Sequence, residues 1–368
     1  MTIGVPKEIK THEYRVGMTP HSVKAYVKNG HTLLVEKGAG VGSGYDDAEY
    51  VAAGAKISAS KADLFRQAEM IVKVKEPLAE EYPLFREGQL LYTYLHLAAS
   101  KELALELMKR KVTGVAYETI ELADKSLPCL TPMSEIAGRL SVQEGAKYLE
   151  KEFGGRGILL GGVPGVQRGT VSVLGGGVVG TNACKIAVGI GANVTVLDIN
   201  AKRLAYLDDI FGSSITTLYA TEANIEAVLR TSDIVIGAVL VAGETAPRLI
   251  TRQHLSIMQP GAVIVDVAID QGGCAETSRP TTHDNPIYIV DGVVHYCVTN
   301  MPGAVARSST IALTSVTLQY GLAIANQGLK SAAHWSEAIR RGINTFDGKC
   351  VHPGVAKSCG LPYTEYVA

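Results

Sequence analysis

TVSVLGGGVVGTNACKIAVGIGANVTVLD, residues 170–198, is the stretch that decides the fold of this chain. It opens with a β-branched apolar run at residues 171–174, which predicts a buried strand. Three glycines follow at G-x-G-x-x-G spacing, and apolar residues then recur with helical spacing up to Gly191. A second apolar run ends at Asp198. The stretch therefore predicts strand, tight turn, helix and strand, the context that the dinucleotide-binding fingerprint requires.

The glycines and the aspartate have separate roles in that fingerprint. Gly175 permits the tight turn, Gly177 lets the backbone approach a pyrophosphate, and Gly180 lets the helix pack closely on the strand. Asp198 follows about 20 residues later and can accept hydrogen bonds from both adenine-ribose hydroxyls. Because its carboxylate repels a 2′-phosphate, we expect NAD as the cofactor rather than NADP. The alternative is a glycine turn in a parallel sheet that binds nothing.

Composition limits the class of protein. The chain has 368 residues, of which 46% are hydrophobic and 19% charged, as expected for a globular protein of two or three domains. A net charge of −1 gives no electrostatic argument for binding nucleic acid or a membrane surface. There is no signal segment and no run of about 18 apolar residues, and the six cysteines form no C-x-x-C pair. We therefore expect a cytoplasmic enzyme that binds neither nucleic acid nor membrane.

Strand and helix patterns alternate along most of the chain. Residues 1–130 predict an open, mainly parallel sheet that lacks the glycine fingerprint. After Asp198 the alternation predicts a second doubly wound sheet, and from Ser308 the pattern is helical. We predict an α/β fold with two doubly wound, Rossmann-like domains. The substrate domain is discontinuous, residues 1–130 and 308–368, and the NAD-binding domain covers residues 131–307.

Two segments lie between the predicted sheets in the sequence. Apolar residues recur with helical spacing over residues 135–151, which predicts a helix. Residues 154–169, GGRGILLGGVPGVQRG, are glycine-rich around two short apolar runs. We predict a hairpin there, and a mobile hinge is the alternative.

Four polar side chains each follow a predicted strand: Arg15, Lys75, His96 and Asp270. Ligands of open α/β sheets gather at the carboxyl ends of the strands. A neighbouring arginine and lysine can hold a small carboxylate. A histidine can exchange protons near neutral pH, and an aspartate can polarise water or steady a cation.

Each of these residues also has a purely structural interpretation. Arg15 and Lys75 could be solvated surface cations, His96 a core histidine with one hydrogen bond, and Asp270 a turn or cap carboxylate. The sequence contains no zinc-type His/Cys cluster and no calcium-type carboxylate loop, so we predict no metal site.

Eight motifs lie along the chain: GVPKEIKTHEYRVGMTP (4–20), VKVKEPL (72–78), YLHLAAS (94–100), PMSEIAGRLSVQ (132–143), LGGGVVG (174–180), IGAVLV (236–241), VDVAIDQGGC (265–274) and VTNMPGAV (298–305). Together they closely resemble the alanine dehydrogenase family, to which the transhydrogenase alpha subunits are related. The resemblance covers essentially the whole chain. It implies an enzyme that reductively aminates pyruvate to L-alanine with NAD(H) and ammonium, and that also runs in reverse.

The resemblance implies roles for individual residues. Arg15 and Lys75 bind the substrate carboxylate, His96 is the acid–base residue, and Asp270 is the second catalytic group. Tyr94, Met133 and Asn300 complete the substrate-binding set. The implied NAD-binding set is Ser134, Gly175, Gly177, Val178, Val179, Gly180, Asp198, Arg203, Val239, Leu240, Val267, Ala268, Ile269, Asp270, Arg279, Val298, Asn300 and Met301.

The resemblance also bears on contacts where this chain differs from its relatives. Ala220 stands where the family contacts adenosine, and alanine has no hydroxyl to offer. Ala323 and Gln327 stand where some relatives bind a metal, so no such site is expected here. The family implies a homohexamer.

Three alternative functions are compatible with the same sequence motifs. The soluble NAD(H)-binding subunit of a transhydrogenase has a similar architecture, but it lacks the lysine and histidine found here at positions 75 and 96. A saccharopine or lysine dehydrogenase shares the hydride chemistry on a larger substrate, whereas Tyr94, Met133 and Met301 suit a short side chain. A non-catalytic NAD-sensing module is the third alternative.

Overall fold

The computed structural model describes residues 1–239 and 246–367. Contacts divide the chain into two compact units, Met1–Met133 with Gly303–Ala368, and Ser134–Pro302. The strands are β1 (Thr2–Val5), β2 (Thr32–Glu36), β3 (Lys56–Ser58), β4 (Met70–Val72), β5 (Leu90–Thr93), β6 (Thr113–Ala116), β7 (Thr170–Leu174), β8 (Asn193–Asp198), β9 (Ile215–Tyr219), β10 (Ile234–Gly237), β11 (Val263–Asp266), β12 (Ile287–Val290), β13 (Val293–Tyr296), β14 (Ile343–Phe346) and β15 (Lys349–Cys350). The helices are α1 (Pro20–Lys28), α2 (Asp47–Ala52), α3 (Lys61–Gln67), α4 (Lys101–Lys109), α5 (Thr131–Tyr148), α6 (Val178–Ile190), α7 (Ala201–Phe211), α8 (Glu222–Leu229), α9 (Arg252–Leu255), α10 (Ala306–Gln327), α11 (Leu329–Trp335), α12 (Glu337–Gly342) and α13 (Pro353–Cys359).

The first unit is built on an eight-stranded sheet in the order β15-β14-β6-β5-β4-β1-β2-β3. Neighbouring strands from β6 to β3 pair in parallel. The chain runs from β1 outward to β3 and returns on the other side of β1 with β4. The carboxyl ends of β1 and β4 therefore flank a topological switch point, where open α/β sheets bind their ligands.

A C-terminal hairpin extends this sheet, and the sequence analysis missed it. β14 pairs antiparallel with both β6 and β15. The two residues between β14 and β15, Asp347 and Gly348, have positive φ angles of 46° and 75°, as in the two-residue turns that suit hairpins. An Asp-Gly pair between two short strand-like runs was the available signal.

The second unit is built on a seven-stranded sheet in the order β12-β13-β11-β10-β7-β8-β9. All its pairings are parallel except that of β12 with β13. The chain runs from β7 to β9 and returns beside β7 with β10, so β7 and β10 flank a second switch point. The α/β fold class with two doubly wound domains, the first one discontinuous, is confirmed.

Two local predictions differ from the structure. Helix α5 spans Thr131–Tyr148 rather than 135–151, and it begins early because the Thr131-Pro132 pair suits a first helical turn. Between residues 154 and 169, one isolated antiparallel bridge of Val163 with Val166 replaces the predicted hairpin. Four glycines there adopt positive φ and interrupt any longer ladder: Gly154, Gly157, Gly162 and Gly165.

The limits of the two units also differ slightly from the predicted domain limits. Contacts divide the chain after Met133 and after Pro302, whereas the sequence suggested divisions after residues 130 and 307. Within the residues that the structure describes, no helix is both long and apolar enough to cross a membrane.

Candidate active site

Three predicted site residues of the first unit follow strands at or beside its switch point. Arg15 lies in the loop after β1, Lys75 three residues after β4, and His96 three residues after β5. Because β1, β4 and β5 are consecutive parallel neighbours, their carboxyl ends meet at one edge of the sheet. The prediction that these side chains follow strand ends is confirmed.

The Arg15 guanidinium is buried and held by a neighbouring acid. Its Nε donates to Glu13 Oε1 at 2.7 Å and its Nη2 to Glu13 Oε2 at 2.6 Å. Nη1 lies 3.2 Å from Met133 Sδ. Burial lowers the pKa of Arg15, but its pairing with Glu13 outweighs burial and the pKa rises. Arg15 is therefore a permanent cation with a fixed plane.

The Lys75 ammonium has a different environment. Burial, followed by the positive charge of Arg15, lowers the pKa of Lys75. Its backbone amide faces Glu8 Oε1 at 3.4 Å, while the structure gives its Nζ no hydrogen bond or ion pair to any described residue. A partly buried cation next to a second cation favours an anionic ligand, because the ligand's charge would relieve both effects.

His96 is half-exposed and has an unusual backbone. Its φ of 49° lies in the left-handed region, which costs a non-glycine residue about 1–2 kcal/mol. The Glu118 carboxylate accepts from the amides of both Leu95 and His96, the latter at 2.6 Å. In the ring, Nδ1 lies 3.2 Å from Glu76 Oε2. Carboxylates therefore hold both the backbone and the ring of His96.

Tyr94 contributes its ring to this end of the sheet rather than a free hydroxyl. Its hydroxyl donates to the carbonyl of Cys129 at 2.6 Å, and burial raises its pKa far above the usual value. The ring lies 5.8 Å from the His96 ring, centroid to centroid. Tyr94 is therefore neutral and provides an apolar wall beside the histidine.

Sequence reasoning missed four acids at this edge of the sheet: Glu8, Glu13, Glu76 and Glu118. Glu8 and Glu13 are both buried, and Glu8 holds a lysine next to the site rather than Arg15 or Lys75. It pairs with the buried Lys73 at 3.0 Å and accepts from the Val74 amide at 2.6 Å. A signal was present, since KEIKTHE places two acids in a loop directly after β1. Alternating charge in a loop is ambiguous, however, because it also suits a solvated surface.

The glycine turn of the second unit has the conformation that the fingerprint requires. Gly175 has a φ of 101°, which favours glycine. A Cβ on Gly180 would lie 1.9 Å from the Gly175 carbonyl oxygen. A Cβ on Gly177 would meet nothing within 4 Å, and Gly177 begins helix α6 without a side-chain cap. The turn therefore leaves space and backbone donors for an anionic group.

Asp198 ends β8 beside this turn. Its Oδ2 accepts from the Gly176 amide at 2.7 Å and its Oδ1 from the Asn200 amide at 2.8 Å. Each oxygen keeps a second lone pair, which suits acceptance from ribose hydroxyls. Arg203 donates to the Gly176 carbonyl and to the Thr181 hydroxyl. The residues present fit a dinucleotide at this turn.

The turn after β11 is held by Asp266, which we interpreted as structural. The buried Asp266 accepts from the amides of Ala268 and Cys274 and from the Ser278 hydroxyl. These bonds shape the 3-10 turn Val267–Gln271, in which Ala268 and Ile269 are buried and Asp270 is exposed. Asp270 therefore presents its carboxylate to solvent from a rigid turn.

The remaining predicted site residues occupy varied environments. Val298 and Met301 are buried, and Arg279 is exposed with its guanidinium 4.1 Å from the centre of the Tyr288 ring. Asn300 has a φ of 64°, and its carbonyl accepts from His283 Nε2 at 3.3 Å. Four further residues of the predicted cofactor set differ in exposure. Val178 is exposed, and the half-buried ones are Ser134, Val179 and Val239. Leu240 lies outside the described residues.

The predicted site residues thus form two groups. Arg15, Lys75, Tyr94, His96 and Met133 belong to the first unit. Ser134, Asp270, Asn300 and the rest of the cofactor set belong to the second. Among residues 1–239 and 246–367, no group of three or more His, Cys, Asp or Glu side chains has the arrangement of a metal site.

Comparison with known proteins identifies the family of this chain. The family model "Alanine dehydrogenase/PNT, N-terminal domain" matches residues 4–137, and "Alanine dehydrogenase/PNT, C-terminal domain" matches residues 141–353. An alanine dehydrogenase of Methanococcus maripaludis is 58% identical over 365 residues, which cover 99% of this chain and 98% of that protein. An alanine dehydrogenase of Geobacillus stearothermophilus is 54% identical, with 99% and 98% covered.

Solved structures agree with these relatives. A structure described as L-alanine dehydrogenase is 54% identical, with a TM-score of 0.95 over 97% of this chain and 99% of that one. A transhydrogenase from Sinorhizobium meliloti is 25% identical, with a TM-score of 0.83 over 96% and 99% of the two chains. The transhydrogenase is thus the more distant of these two. Both family models together cover nearly the whole chain, and it belongs to the alanine dehydrogenase/PNT family.

Proposed function

We propose that this protein is an NAD-dependent alanine dehydrogenase. It oxidises L-alanine with water to pyruvate and ammonium, and it runs the reductive amination in reverse. The observation that carries the proposal is the pair of cations Arg15 and Lys75 beside His96, all following neighbouring strands of one sheet. Full-length identity of 53–58% to alanine dehydrogenases supports the same reaction.

The substrate carboxylate is assigned to Arg15 and Lys75. Arg15 is held in one plane by Glu13, and an arginine so fixed binds a carboxylate with little loss of side-chain entropy. The ammonium of Lys75, whose pKa is lowered by burial and by Arg15, gains a partner when an anion arrives. Tyr94 and Met133 are buried beside these cations and suit a substrate with a methyl side chain.

His96 and Asp270 are assigned the proton transfers. In the oxidative direction His96 accepts a proton from the water that adds to the imino acid, and in reverse it returns that proton. Asp270, exposed on its rigid turn, stabilises the cationic imine and assists the loss of ammonia. Orientation of the substrate by the cations Arg15 and Lys75 supplies much of the rate enhancement.

The cofactor is assigned to the glycine turn of the second unit. When bound there, the nicotinamide ring accepts a hydride from the α-carbon of alanine, or donates one in reverse. Gly177 and the first turn of α6 hold the pyrophosphate. Asp198 accepts from the adenine-ribose hydroxyls and disfavours a 2′-phosphate, so NAD is preferred over NADP. The proposed assembly is a homohexamer, which sedimentation equilibrium tests directly.

One spectrophotometric experiment tests the function. The purified protein is mixed with NAD, and the absorbance of reduced cofactor is followed with L-alanine and with a panel of other amino acids. We expect rapid NADH formation with L-alanine and much less with lysine or saccharopine. Binding of NADH without oxidation of any amino acid would instead favour a transhydrogenase-type or NAD-sensing role.

A further inference from the structure

We propose that Glu76 is a positioning residue for His96: its carboxylate holds the imidazole in one orientation and one tautomer, with Nε2 left to exchange protons with the substrate. This inference rests on the proposed function, since it concerns the acid–base residue of that reaction. It assigns a role to an acid that the sequence analysis did not single out.

The contact itself defines the tautomer. Glu76 Oε2 lies 3.2 Å from His96 Nδ1. An ionised carboxylate can only accept hydrogen bonds, so Nδ1 must carry the proton. In the neutral ring Nε2 then carries no proton and can accept one. The hydrogen bond at Nδ1 thus determines the protonation of Nε2.

Glu76 is itself fixed and ionised. Its other oxygen, Oε1, forms an ion pair with Lys10 Nζ, so each oxygen has its own partner. Burial raises the pKa of Glu76, but the hydrogen bond to His96 and the positive charges of Lys10 and Lys75 outweigh it, and the pKa lies well below its usual value. Glu76 therefore remains anionic across any practical assay range.

Orientation of the ring needs such a partner because the His96 side chain is 43% exposed, against 18% for Glu76. Packing alone does not hold a half-exposed ring in one rotamer. Glu118 holds the backbone through the Leu95 and His96 amides but leaves the ring free to turn. Glu76 supplies the restraint that Glu118 does not.

The other charged and titratable groups around the ring act differently. Tyr94, from the end of β5, faces the ring at 5.8 Å and is neutral because burial raises its pKa. Lys10 and Lys75, from the loops after β1 and β4, face Glu76. Among the described residues, Glu76 is thus the carboxylate that is hydrogen-bonded to the imidazole.

The test compares Glu76→Gln, Glu76→Ala and a matched control, Glu80→Gln. Glu80 lies four residues further on, is exposed, and makes no hydrogen bond or ion pair with a described residue. For each variant kcat and KM for L-alanine, thermal stability and NADH binding are measured. The ¹⁵N chemical shifts of the His96 ring nitrogens, recorded at one pH, report which nitrogen carries the proton without relying on activity.

We expect the wild-type ring to carry its proton on Nδ1, and Glu76→Gln to admit the Nε2–H tautomer, because an amide can donate to Nδ1 as well as accept from it. Glu76→Ala should lower kcat about 10- to 100-fold, as loss of a supporting partner does, while KM changes less than about two-fold. Lys10→Met keeps the carboxylate of Glu76 and should keep the Nδ1–H tautomer. Glu80→Gln should match the wild type.

Two outcomes would overturn the inference. One is an active wild type whose His96 tautomer is the same in Glu76→Gln and in Glu76→Ala. The other is a Glu76→Ala variant in which KM rises while kcat is kept, because Glu76 would then act on substrate binding. If the wild type forms no NADH from alanine, the proposed function fails, while the ring-nitrogen shifts still decide whether Glu76 sets the tautomer of His96. If Glu76→Gln does not fold, the ring-nitrogen shifts of Glu76→Ala decide the question.

Discussion

Glu13 and Arg15 are joined by two parallel hydrogen bonds, Nε to Oε1 at 2.7 Å and Nη2 to Oε2 at 2.6 Å, with both side chains almost wholly buried. The pair occupies one edge of the guanidinium and directs its plane. It also keeps a buried cation compensated when no substrate is present. Arg15, to which we assign the substrate carboxylate, is therefore oriented before a substrate arrives.

This relationship predicts the effect of Glu13→Gln. Neutralising the acid breaks a buried ion pair of Arg15, which costs about 3–5 kcal/mol of folding free energy. The guanidinium also loses its fixed plane, so KM for pyruvate should rise at least about ten-fold. Denaturant unfolding and steady-state kinetics check both effects. An unchanged KM in a folded variant would contradict the orienting role of Glu13.

The environment of Lys75 predicts a pH dependence of substrate binding. Its pKa is lowered by burial and by Arg15, so the ammonium is lost at a lower pH than in a free lysine. Since only the charged form holds a carboxylate, KM for pyruvate should rise as the pH increases through that lowered pKa. Lys75→Arg keeps its charge and should flatten this rise. If KM for pyruvate rises equally with pH in the wild type and in Lys75→Arg, the pH dependence comes from another group.

Lys75→Ala should lower kcat/KM for L-alanine by at least about 100-fold, because a charge-assisted contact with the substrate is lost. Folding should be little affected, since Lys75 Nζ makes no ion pair with the described residues. Thermal unfolding provides the control. Wild-type kcat/KM in this variant would remove Lys75 from the substrate site.

Three glycines of one turn and helix predict a graded series. Gly180→Ala puts a methyl group 1.9 Å from a backbone oxygen and should destabilise the protein and abolish NADH binding. Gly177→Ala meets nothing within 4 Å, so it should fold normally but bind NADH at least about ten-fold more weakly, because the backbone can no longer approach the pyrophosphate.

Gly189→Ala is the matched control, as it lies in the same helix with nothing within 4 Å. It should stabilise the protein by about 0.5–1 kcal/mol and leave cofactor binding unchanged. Calorimetry and fluorescence titration with NADH measure the series. Equal NADH affinity in Gly177→Ala and Gly189→Ala would place the pyrophosphate elsewhere.

Asp198→Asn tests cofactor choice. The amide oxygen can still accept from the Gly176 amide, which Asp198 Oδ2 meets at 2.7 Å, but the negative charge is lost. The ratio of kcat/KM for NAD to that for NADP should therefore fall at least about ten-fold, because the repulsion of a 2′-phosphate is removed. The kinetics of both cofactors with alanine measure it, and an unchanged ratio would show that Asp198 does not discriminate.

Local sequence patterns predicted most of the elements that neighbouring residues decide. The glycine spacing and Asp198 predicted the strand, turn and helix at residues 170–198, because steric limits on φ and on helix–strand approach act within a few residues. Arg15, Lys75 and His96 were found by their positions after strands. The Asp347-Gly348 hairpin was also encoded locally, but its short strands gave too weak a signal.

Tertiary structure alone decided which charges meet. Glu13 with Arg15, Glu8 with Lys73 and Glu76 with His96 are pairs that the fold selects from many charged residues, and Glu8 and Lys73 lie 65 positions apart. Whether a charged side chain is a solvated surface group or a buried partner depends on the dielectric and on the atoms within a few ångströms. The sequence thus determined the family, the two sheets and the residues at the strand ends, whereas the folded sheet determined which acids hold and orient them.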